Sequence, residues 1–89
     1  MFSVSEVKKL PIGTKLRLVR CLVGEVSPEK QDREVVGRKS WGLEMKKPDG
    51  TVSELRFCKG DRVQRTDDGF RVVNGENVQA EYVTVHVPI

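Results

Sequence analysis

The sequence predicts a mostly β fold: a small barrel of five or six strands with a short helical turn at its N-terminus. Three observations carry this. After Gly13, short apolar–polar runs alternate with Gly-, Pro- or Asp-containing turn signals, roughly every 8–12 residues. Two of the runs change phase midway, as strands do where a barrel bends. A helical period occurs only once, ahead of Pro11. A chain of 89 residues, 37% hydrophobic and 33% charged, makes one domain over residues 1–89 with a small core. Only five residues are aromatic, so that core is expected to be largely aliphatic.

The elements follow in order. Ser3 to Glu6 reads S-x-x-E, a capping box, and Val4, Val7 and Leu10 recur at helical spacing until Pro11 and Gly13 stop the helix. One or two turns are expected, lying over an open end of the barrel. From Thr14 to Gly24, Leu16 and Leu18 alternate with Lys15 and Arg17, and the phase slips at Val19-Arg20, which predicts a bulge or sharp bend. Residues 25–34 are polar, aperiodic and contain Pro28, so they read as a flexible loop. Val35 to Lys47 reads as a second strand with Trp41, Leu43 and Met45 on one face. Pro48-Asp49-Gly50 turns it into a third strand, Thr51 to Cys58, with Ser53, Leu55 and Phe57 together. Lys59-Gly60-Asp61 turns again into a short strand, Arg62 to Arg65, and Asp67-Asp68-Gly69 leads into Phe70-Arg71-Val72-Val73. Asn74-Gly75 is a hairpin signal before a last strand, Val78 to Val87, whose phase changes at Tyr82-Val83. Trp41, Phe57 and Phe70 are in phase with aliphatics and are assigned to the core.

Residues 10–16 and 57–63 echo one another: in each, a glycine is followed by Thr or Asp, a cation and an aliphatic. Each glycine is expected to release the chain into a strand. The second copy, Lys59-Gly-Asp-Arg-Val63, resembles the entry to the hairpin of KOW-type and translation SH3-like barrels, where Gly-Asp precedes an alternating strand. The resemblance covers residues 59–69 and implies an SH3-like or related barrel. The second glycine cluster of that motif is replaced by Phe-Arg-Val-Val, and no functional residue is carried over from it.

Charge is polarised along the chain. Residues 1–65 hold 15 of the 16 Lys and Arg against 9 acids, whereas residues 66–89 hold Arg71 against four. Lys15 and Arg17 point away from the Leu16–Leu18 face. Arg38, Lys39, Lys46, Lys47, Arg56, Lys59, Arg62 and Arg65 lie on the middle strands and turns. Cations on several strands can track phosphates, and the set expected to do so is Lys15, Arg17, Arg38, Lys39, Arg56, Lys59, Arg62 and Arg65. Exposed aromatics for base stacking are nearly absent, so contact with DNA or RNA would be backbone electrostatics with little sequence readout. A protein-binding accessory or inhibitor domain, homodimeric through residues 25–34 or a last strand at a sheet edge, is the alternative.

Catalytic chemistry finds little support. His86 is the only histidine, and no glycine-rich oxyanion loop lies near it. Cys21, Cys58 and His86 are too scattered for zinc, and Asp61, Asp67 and Asp68 match turns better than a calcium loop. No metal, cofactor or enzymatic activity is expected. The first eleven residues carry Glu6, Lys8 and Lys9 where the apolar stretch of a secretory signal would sit, and no apolar run approaches the ~18 residues of a membrane helix. Cys21 and Cys58 therefore read as reduced thiols of a cytoplasmic protein, linkable only if their strands lie side by side.

Overall fold

The computed structural model describes residues 3–88; Met1 and Phe2, the start of the segment tested above for an export signal, lie outside them, as does Ile89. Helix α1 (Val4–Lys8) is followed by eight strands: β1 (Lys15–Cys21), β2 (Gly24–Glu25), β3 (Asp32–Lys39), β4 (Gly42–Lys46), β5 (Val52–Arg56), β6 (Asp61–Arg65), β7 (Gly69–Asn74) and β8 (Asn77–His86). They form one antiparallel sheet in the order β5-β4-β3-β1-β8-β7-β6. The first half of β1 pairs with β3 and its last residues pair with β2, while β8 runs along the other flank.

The sheet does not close, and its topology explains why. Six successive antiparallel steps leave the two outer strands, β5 and β6, running in the same sense. Only residues 57–60 join them. A side-by-side parallel pair needs a crossover of a dozen or more residues, so the chain steps from one edge of the sheet to the other without pairing them. The expected closed barrel of five or six strands is thus replaced by an open sheet of eight. No helix among the described residues is long and apolar enough to cross a membrane.

Four local expectations need correction. The run 35–47 is two strands, because the chain reverses at Ser40-Trp41 and pairs Lys39 with Gly42. Gly42 makes this possible: its φ is +150°, and a Cβ there would overlap the Leu55 carbonyl oxygen. The reversal takes Trp41 out of the core to a half-buried site under Arg56, whose Cζ lies 4.2 Å from the ring centroid. Residues 25–34 are not a continuous loop; they hold the end of β2, a 3₁₀ turn at Pro28–Lys30 and the start of β3. The last strand is not at an edge, since β8 lies between β1 and β7.

Other features agree with the sequence. Ser3 caps α1, its hydroxyl accepting from the Glu6 N–H at 3.3 Å. The slip at Val19 is a register shift in the β1–β8 ladder between Leu18 and Arg20. The β4–β5 hairpin turns at Pro48-Asp49-Gly50 with Lys46 opposite Val52. In the two echoed segments, Gly13 and Gly60 share nearly one conformation, φ +93° and +90°, each just ahead of a strand.

The core lies between the two halves of the rolled sheet. Val35, Leu43, Met45 and Leu55 come from β3, β4 and β5, and they meet Leu16, Phe70, Val72 and Tyr82. Phe70 and Tyr82, directly opposite on β7 and β8, stack with centroids 5.2 Å apart. Val7 of α1 is fully buried over this core, where the helix packs on β4 and β6. Among the described residues Thr14 is the fully buried polar one, and its hydroxyl donates to the Pro11 carbonyl at 2.6 Å.

Candidate nucleic-acid interface

All eight cations singled out from the sequence are exposed, but they do not form one face. Lys15 and Arg17 stand on the outer side of β1, alternating with the fully buried Leu16. Pairing with β3 brings them opposite Glu34 and Asp32, and pairing of β3 with β4 brings Lys46 opposite Glu34. These rows line a shallow depression of about 290 Å3 that also takes in Arg33, Lys47 and Pro48.

The depression therefore gathers five cations, Lys15, Arg17, Arg33, Lys46 and Lys47, against two carboxylates, Asp32 and Glu34. Arg17 and Asp32 approach to 3.4 Å but are both well exposed, so water and salt weaken the pair. Arg33 is pinned by donating to the carbonyls of Lys30 at 2.6 Å and Asp32 at 2.8 Å. The surplus of cations in one concave site is the arrangement that attracts a phosphate diester. Lys46 and Lys47 were visible in the sequence as turn cations. Arg33 was not, because its segment has no period until β1 pairs with it.

The remaining six cations go elsewhere. Arg38 reaches the C-terminal end of α1, its Nη1 donating to the Lys9 carbonyl at 3.4 Å. Lys39 approaches Glu44 at 3.6 Å, and Arg56 approaches Glu54 at 3.1 Å while lying over Trp41. Lys59 sits in the link between the edge strands, and Arg62 and Arg65 lie on β6. Trp41 is half-exposed, lies under Arg56 and does not line the depression.

A second concavity lies against β5. It is a cleft of about 480 Å3 with Leu18, Leu55, Val72, Ala80 and Tyr82 among its apolar lining. Cys21 and Cys58 both border it, and both are free thiols. Burial in this region pushes the Tyr82 hydroxyl up to about 12. In the β4–β5 turn, hydrogen bonds from the Thr51 hydroxyl (2.6 Å) and N–H (2.9 Å) hold the Asp49 carboxyl below its usual range. Among the described residues no group of three or more His, Cys, Asp or Glu side chains is placed to hold a metal ion. His86 is exposed at the end of β8.

The chain matches no family model, no curated protein and no solved structure.

Proposed function

We propose that the protein is a non-enzymatic β module of the cytoplasm that holds nucleic acid by its phosphate backbone, with little preference for sequence. One observation carries the reading: five cations meet only two carboxylates in a single depression on β1, β3 and the β4–β5 turn. No aromatic ring lines it, so phosphate rather than base is what it can recognise.

Fluorescence anisotropy with random DNA and RNA oligonucleotides tests this at two salt concentrations. Four phosphate contacts to duplex DNA give a log–log slope of about −3.6, hence roughly hundredfold weaker binding from ~50 to ~200 mM salt. Replacing Lys15, Lys46 and Lys47 together by Ala abolishes binding at low salt, and Arg62→Ala with Arg65→Ala leaves it intact. Undiminished binding by the triple variant removes the depression from the interface.

A second reading, a protein-binding accessory or inhibitor domain, is favoured by the apolar tip of the β1–β2 hairpin. Leu22 and Val23 are 64% and 96% exposed at turn positions where Gly, Asn or Asp is usual. Replacing both by Ser leaves nucleic-acid binding unchanged, which separates the two surfaces.

A further inference from the structure

We infer that β5 is a self-pairing edge and that its complement is β5 of a second copy of this chain. The strand hydrogen-bonds to β4 on one flank only. Its residues Glu54, Leu55 and Arg56 border a cleft that Val72, Ala80 and Tyr82 of the same chain also line, and among the described residues no strand pairs with β5 there. Unpaired edges of this kind accept a further strand when side chains allow it.

The side chains specify which strand. Glu54 and Arg56 point outward and Leu55 inward. An antiparallel partner is best matched when it places a cation opposite Glu54, an apolar side chain opposite Leu55 and a carboxylate opposite Arg56. Read from its own N-terminus, that partner is acid–apolar–base, which is the sequence Glu54-Leu55-Arg56 itself. A two-fold axis through Leu55 then forms two reciprocal Glu54–Arg56 contacts between copies. Sliding the register by two residues sets Glu54 against Glu54 or Arg56 against Arg56, so charge selects one alignment.

In the single chain Glu54 stands opposite Glu44 on β4, and Arg56 meets Glu54 at 3.1 Å while lying over Trp41. Pairing of two copies exchanges that exposed contact within one chain for two reciprocal contacts between chains. Only Glu54, Leu55 and Arg56 of each β5 face one another in this register, and they bury far less than the ~1,200 Å2 of a stable complex, so the dimer is weak and in rapid exchange. None of these residues lines the basic depression, and the inference stands independently of nucleic-acid binding.

Sedimentation equilibrium from micromolar to millimolar protein tests it. The wild type self-associates; Glu54→Arg and Arg56→Glu each raise the dimer dissociation constant about tenfold or more, and the double exchange restores it. The altered positions are exposed, and circular dichroism confirms that each variant is folded. In a Cys21→Ser background with oxidised glutathione as the electron acceptor, Val52→Cys forms an intermolecular disulfide with Cys58, two residues beyond β5 at the position this register sets opposite residue 52. A strict monomer at millimolar concentration, a dimer indifferent to the single reversals, or one that the double exchange fails to restore overturns the inference.

Discussion

In the half of the sheet made by β3, β4 and β5, inward Val35, Leu43, Met45 and Leu55 pack as aliphatics while the outward residues carry charges of both signs and β5 is paired on one flank only. In the half made by β6, β7 and β8, Phe70 stacks on Tyr82 inside, and Val73 is buried as well. There, Arg71 and Glu81 lie opposite each other and pair at 3.4 Å. The first half carries exposed charge and an open edge, whereas in the second four of the six residues of β7 are buried. Stability is therefore expected to concentrate around β7 and β8, and recognition around β1 and β3 to β5.

The largest test of this contrast is Phe70→Ala, which removes a fully buried ring and costs about 3–5 kcal/mol in urea unfolding. Leu55→Ala, beside the open cleft, costs about 2–3 kcal/mol, and equal losses at the two sites would erase the distinction. Within the charged half, Gly42→Ala costs about 2–4 kcal/mol, since its Cβ would meet the backbone of β5. Gly50→Ala, at φ +89° in open space, costs only the conformational part, about 1–2 kcal/mol.

Tyr82 sharpens the view of the covered half through pH. Its hydroxyl stays neutral in the folded protein up to about pH 12, whereas the unfolded chain ionises near 10. The protection is full below pH 10 and is lost as pH rises through 12, a decline of about 2–3 kcal/mol. Tyr82→Phe flattens that decline, as alkaline urea titrations would record. The smallest effect is at α1: Ser3→Ala removes the cap and lowers stability by about 0.5–1 kcal/mol.

Much of this architecture was legible because local chemistry agreed with the fold. The N-cap at Ser3, the hairpin at residues 48–50 and the slip at Val19 all appear where the pattern placed them. What could not be read were effects of pairing at long range. Ser40-Trp41-Gly42 carries no strong turn signal, and only the close approach of β5 demands the glycine that makes the reversal. The basic set was divided for the same reason. Outward direction follows from alternation, but which cations share a concavity depends on strand order, and that order placed Lys15 and Arg17 beside Arg33, Lys46 and Lys47.

The centre of the sheet is the ladder between β1 and β8, which makes Lys15 a direct partner of His86. A ribosome adding roughly 5–20 residues per second must therefore finish the last strand before β1 can fill its second flank. Until then the nascent chain holds only local hairpins, with the apolar flank of β1 waiting. Closing so long a loop is slow, and folding on the millisecond-to-second scale of non-local β proteins is the consequence. The core of this sheet can therefore exist only once β8 has been made and has taken its place between β1 and β7.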